Sequence, residues 1–185
     1  NERFKSMESN REFLTIQELK KAIATPAKHE DTKRAFVFAC LTGLRFSDVK
    51  SLTWAKIEDS PDGSSKVVRT QMQKTKKWIS IPLSTEALKW LNPKDDPNEP
   101  IFHFYDPVNV EKHIGLWLKA AGINKHITFH CARHTFATMM ITIGVDIYTV
   151  SKLLGHSKVT TTQIYSKIID KHKAEAVSKL DSLFD

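Results

Sequence analysis

The sequence predicts an α+β domain that is mainly α-helical and carries one small antiparallel β-sheet. Three observations lead there. Capped helical patterns closed by glycine fill the first fifty residues and the last third of the chain. Between Trp54 and Pro82 the pattern shortens to β-rich runs with alternating apolar residues. Finally, 185 residues with 41% hydrophobic content suit one domain with a sizeable core.

The first helix is expected in "LTIQELKKAIATP". There Thr15 and Glu18 have capping-box spacing, Leu14, Ile16, Leu19 and Ile23 form the apolar face, and Pro26 stops it. "DTKRAFVFACLTGLR" turns apolar almost all round after a charged start, so it predicts a deeply buried helix. Gly43 suits its closing position, and Ser47 can cap a short helix over "DVKSL". "SPDG" reads as a turn, and "KVVRTQM" and "KWISIPL" as strands of a sheet whose last hairpin tip lies near "QKTK". A helix begins at Ser84, and "NPKDDPNEP" is a loop. "VNVEKHIGLWLKAAG" predicts an amphipathic helix closed by Gly122. "TFHCARHTFATMMITIG" can be capped by Thr128 and closed by Gly144, and "DIYTVSKLLG" capped by Asp146 and closed by Gly155. A helix carrying Tyr165 and a final amphipathic helix, "KHKAEAVSKLDSLF", complete the reading. No internal repeat or low-complexity tract interrupts it.

Charge narrows the function. Lys and Arg number 28 against 21 Asp and Glu, a formal charge of +7. Ser64 to Thr85 holds five basic residues and no acid, and from Lys112 to Ile169 Asp146 is the only acid. A solvated basic face is the ordinary explanation, and a partner with dense negative charge is the sharper one. Cys40 and Cys131 cannot make a disulfide framework and read as buried thiols of a reducing compartment. With no signal peptide and no apolar run near ~20 residues, a soluble intracellular protein is expected.

Several residues have the chemistry to meet a phosphodiester. His130 and Arg133 are three apart and share a helix face. His134 points elsewhere on that helix and reads as structural. His126, His130 and His134 are spaced by four, but the carboxylate of H-E-x-x-H is missing and His126 precedes the cap at Thr128, so no metal is expected. Arg45 lies two residues beyond Gly43, at the exit of the buried helix, where an ion pair with Asp48 is its plain role. Lys74 sits at the hairpin tip, within reach of a ligand. Two guanidiniums can donate bidentate bonds to phosphate oxygens as charge grows on them. His130 and His156 add donors, and a histidine can manage the proton of an incoming hydroxyl. A lysine ammonium can protonate a departing alkoxide. Tyr165 is a half-buried aromatic by default. Its phenol, with an ordinary pKa of about 10, also fits as a nucleophile that neighbouring cations help to ionise.

The ordered set Arg45, Lys74, His130 with Arg133, Gly155 with His156, and Tyr165 resembles the tyrosine recombinase (phage integrase) family. "TGLRFSDVKSLTW", "FHCARHTFATMM" and "LLGHSKVTTTQIYSK" are similar to its sequence boxes, and the resemblance runs from about Leu14 to about Ile169. It implies the tyrosine recombinase catalytic-domain fold, and DNA strand cleavage and rejoining with no metal and no cofactor. By that likeness Tyr165 attacks the scissile phosphate to give a 3′-phosphotyrosyl link and a free 5′-hydroxyl. Arg45, Arg133, His130 and His156 bind the phosphate, and Lys74 is the general acid, with Lys76 and Lys77 as alternatives. Asp48 stands where many members carry Glu. Residues 1–185 are then expected to be a catalytic domain without the family's upstream DNA-clamping domain. The resemblance also implies double-stranded DNA as partner, a homotetramer on DNA and no membrane, with accessory DNA-bending proteins as further candidates. A bacterial cytoplasmic, nucleoid-associated place follows, as does an integrase role in a mobile element. The final helix either docks on a neighbouring protomer or packs in cis. The rivals are a type IB topoisomerase, a non-catalytic DNA-binding module and a metal-dependent nuclease built on the histidines.

Overall fold

Among the described residues the chain forms helices α1 (Ile16–Ala24), α2 (Glu30–Thr42), α3 (Phe46–Lys50), α4 (Thr85–Leu88), α5 (Val110–Ala120), α6 (Phe129–Thr142) and α7 (Ile147–Leu153) and one three-stranded sheet. Its strands are β1 (Ile57–Asp59), β2 (Lys66–Gln71) and β3 (Trp78–Pro82). The computed structural model describes residues 12–92, 96–156 and Tyr165. The expected final helix, and all but Tyr165 of the one before it, lie outside these residues.

Local chemistry accounts for most of the boundaries. Thr15 and Glu18 exchange both capping-box bonds, 3.2 Å and 2.8 Å. Ser84 and Asp146 accept from Ala87 N–H and Thr149 N–H at the starts of α4 and α7. Carboxylate Oε2 of Glu111, on α5, accepts from Phe129 N–H at 2.8 Å and so caps α6 from a neighbouring helix. One expectation fails here: α3 starts two residues early, with Arg45 rather than Ser47 at its N-cap. The left-handed turn at Gly43 brings the chain back into helical geometry sooner than Ser47, and Ser47 falls inside the first turn.

α2 is the central helix and is buried on nearly every side, as its composition predicts. Phe36 meets Trp117 of α5 and Phe129 of α6 edge-on, with ring centroids 5.9 Å and 5.8 Å apart. The buried end of Lys33 is satisfied by Thr25 carbonyl oxygen at 2.9 Å. β1 and β3 flank β2 antiparallel, with Val68 opposite Ile57 on one side and Ile81 on the other. Val68 and Ile81 face the core, while Arg69 and Ser80 face out. Both cysteines are free and buried. Among the described residues no helix is long and apolar enough to cross a membrane.

A second apolar cluster joins α6 to α7 through Phe136, Ala137, Ile141, Val150 and Leu154, and Tyr165 packs into it. Gly43 lies against the same cluster at φ +72°, where a Cβ would stand 2.7 Å from the Phe136 ring and 2.9 Å from Leu154. Gly43→Ala therefore combines backbone strain with overlap against an aromatic ring. It should destabilise the fold by about 2–4 kcal/mol in urea unfolding.

Candidate active site

Arg133 organises the site. It comes from the middle of α6 with only 4% of its surface exposed. Its Nη1 donates to Gly43 carbonyl oxygen at 2.8 Å, and its Nη2 makes a short bond to Leu154 carbonyl oxygen. These are the backbone ends of α2 and α7, 90 residues before Arg133 and 21 after it. One rigid fork thus clasps two helix ends whose carbonyls have no helical partner. Beyond Leu154 the chain turns at Gly155 (φ +62°) in a Schellman motif. Gly155 N–H bonds Lys152 oxygen at 2.8 Å, and His156 N–H bonds Ser151 oxygen at 3.0 Å. That turn sets half-buried His156 two residues from the carbonyl Arg133 holds.

Arg45 arrives at the start of α3, just past the Gly43 turn, and is half-buried. Among the described residues its guanidinium finds one hydrogen-bond partner, the thioether of Met72 at 3.7 Å. A thioether is a weak acceptor. Burial lowers the pKa of Arg45, opposed by the negative charge of Asp48. Burial also brings Arg133 down to about 9, and the positive charge of Arg45 adds to that fall, while Tyr165 and Asp48 oppose it. The two guanidiniums therefore lie close enough to act on one another, an electrostatic setting suited to an anion.

Asp48 does more than accompany Arg45. Buried at 1% exposure, it accepts from the backbone N–H of Gln73 at 2.8 Å through Oδ1, mooring the β2–β3 hairpin to α3. Its Oδ2 has no hydrogen-bond partner among the described residues. Met72 N–H to Lys77 oxygen (2.9 Å) and Lys76 N–H to Met72 oxygen (2.8 Å) close the hairpin turn. Lys74 stands exposed at its apex. Lys76 and Lys77, also exposed, lie on the return leg, where Lys76 adopts a left-handed φ of 54°.

The imidazoles and the phenol complete the group. His130 is exposed near the start of α6, and its ring meets that of His134 edge-on, centroids 4.8 Å apart. His134, which the sequence reads as structural and pointing elsewhere, shares a face with His130. It is buried, and its Nδ1 lies 2.6 Å from the hydroxyl of Tyr165, itself 6% exposed. The four-residue spacing of His130 and His134 is the signal for this shared face, weighed in the sequence only as a metal question. His126 lies in the loop before α6, off that face. The structure thus groups Arg45, Arg133 and Tyr165, with His130 joined to them through the ring of His134, His156 on the turn after Leu154, and Lys74 exposed on the hairpin that Asp48 tethers at Gln73.

With this fold and this grouping of residues, the chain matches the model of the phage integrase family over residues 12–172. The chain belongs to that family. It is 34% identical over 182 residues to the tyrosine recombinase XerA of Pyrococcus furiosus, covering 92% of this chain and 62% of that protein. The chain spans about three-fifths of the length of the first relatives it matches. The catalytic domain of bacteriophage HP1 integrase has the same fold, with a TM-score of 0.68 at 23% identity over 90% of this chain and 93% of that one. XerH site-specific recombinase, solved bound to its difH substrate before cleavage, superposes with a TM-score of 0.65 at 18% identity over 83% and 50%.

A tetrahedral oxyanion should relieve the two crowded guanidiniums. Orthovanadate at a few times its Kd should raise Tm by roughly 2–4 °C, the equivalent of about 1 kcal/mol, where chloride at equal ionic strength does not. Arg45→Ala should abolish the rise.

Proposed function

We propose that this chain is the catalytic domain of a site-specific DNA recombinase of the tyrosine type, serving the integration or excision of a mobile element. The observation that carries the reading is the place of Tyr165. Its hydroxyl lies 2.6 Å from Nδ1 of His134, the residue that follows buried Arg133 on α6, although 120 residues separate Tyr165 from Arg45. In this reading Arg45 and Arg133 grip the non-bridging oxygens of the scissile phosphate, two N–H donors of Arg133 being already committed to carbonyls. His130 and His156 add hydrogen bonds to the same group. Tyr165 Oη attacks phosphorus, forming a 3′-phosphotyrosyl bond, and the 5′-oxygen leaves with a proton from Lys74. A phenolate is a better leaving group than an alkoxide, so a second 5′-hydroxyl can reverse the step. The bond's energy is kept and no external energy source is required.

The partner in this reading is double-stranded DNA. The basic segments around the hairpin and α6 favour it, as does the likeness to XerH, which is solved on a DNA substrate. An upstream DNA-clamping domain, assembly as a homotetramer on paired sites and residence with the bacterial nucleoid belong to the same proposal. A match along the family's boxes weighs against a type IB topoisomerase and against a module that only binds.

A nicked suicide duplex, from which the cleaved 5′ end diffuses away, tests the chemistry. Incubated in EDTA it should yield a covalent protein–DNA adduct that maps to Tyr165 by mass spectrometry. Tyr165→Phe should remove the adduct while DNA binding persists. An adduct surviving that change would refute the assignment.

Lys74→Ala should slow cleavage by about 10²-fold or more, as expected for loss of a general acid. A duplex with sulfur in place of the leaving 5′-oxygen should restore the rate, since a thiolate departs without a proton. Rescue at Lys76→Ala or Lys77→Ala instead would transfer the role to that residue.

A further inference from the structure

We propose that His134 is the group that takes the proton from the Tyr165 phenol during strand cleavage and returns it during rejoining. The inference rests on Tyr165 being the nucleophile and adds a residue outside the set Arg45, Lys74, His130, Arg133, His156 and Tyr165. Its basis is contact with the reacting atom itself. His134 Nδ1 lies 2.6 Å from Tyr165 Oη, with the ring centroids 6.1 Å apart and the planes tilted by 56°. Both side chains are 6% exposed, so bulk water is not the ready acceptor.

The chemistry around that contact is selective. Arg45 and Arg133 have only N–H donors, so neither can accept a proton from the phenol. An imidazole neutral at Nδ1 and protonated at Nε2 presents a lone pair along the phenol O–H. His134 sits mid-helix with its ring against His130, and its neighbour Arg133 is pinned at two backbone points. The pair is therefore positioned before DNA arrives.

The step balances. The Tyr165 O–H bond breaks and its proton passes to His134 Nδ1, which then donates a hydrogen bond to the phenolate. The oxygen attacks phosphorus, the bond from phosphorus to O5′ breaks, and Lys74 protonates O5′. Rejoining runs the same transfers backwards.

The test uses single-turnover adduct formation on the nicked duplex with His134→Asn, whose carboxamide can hold a hydrogen bond near the Nδ1 position but is not a base. His134→Gln is the second variant, and nicked-duplex binding reports that each is folded. The cleavage rate should fall by about 10²-fold or more, with residual adduct still mapping to Tyr165. Placing a ring-fluorinated tyrosine at position 165, whose phenol is more acidic, should recover most of the loss. An unchanged rate in a folded variant, or a loss that the acidic phenol does not relieve, overturns the proposal. An adduct mapping away from Tyr165 in the unmodified protein would instead overturn the nucleophile assignment, so the two failures are distinguishable.

Discussion

The clasp between Arg133 and the carbonyls of Gly43 and Leu154 is the constraint on which the site depends. A guanidinium buried this deeply is costly unless its donors are satisfied, and two backbone oxygens at helix ends supply what the charge needs. The same bonds tell the chain where those ends must lie. Gly43 comes close enough only because it has no Cβ to meet Phe136 and Leu154. The turn after α2, the middle of α6 and the end of α7 are therefore one structural unit, and Arg45 and His156 are carried within it.

A second tether extends that unit to the sheet. Through Gln73, Asp48 fixes the tip of the hairpin, while Met72 from the same tip packs beneath Gly155 and touches Arg45. The buried parts of the site are held by several elements at once, and its outer members, His130 and Lys74, stay exposed. Such a division suits the proposed centre, rigid where it would grip phosphate and open where DNA would approach. The positive charge of Arg45 adds to the lowering of the Arg133 pKa, a repulsion that the proposed phosphate contact would offset.

Much of this was readable along the chain. Capping boxes, closing glycines and the change from helical to alternating periodicity are local signals, and α1, α2, α5, α6, α7 and the hairpin appear where those signals lie. Ser47 shows the limit of the method: a good capping residue is outranked by a turn whose geometry depends on packing at Gly43, four residues earlier. Asp48 shows another, because its main bond is to a backbone amide 25 residues away, and nothing in "RFSD" indicates that. His134 was assigned to structure on helix-face grounds, yet its partner is a tyrosine 31 positions later.

By itself the sequence determined which residue types were available, the order in which they occur and the local elements that carry them, because caps, turns and periodicity act over a few residues. It also determined family membership, since the boxes are stretches of primary structure. Only the tertiary structure decided which of those side chains share a site. Arg133 reaches over Gly43 and Leu154, Asp48 holds Gln73, and the phenol of Tyr165 comes to rest on His134. These are contacts between segments far apart in the chain. Their existence depends on how the core around α2 and the cluster between α6 and α7 pack, a property of the whole fold that no local stretch encodes.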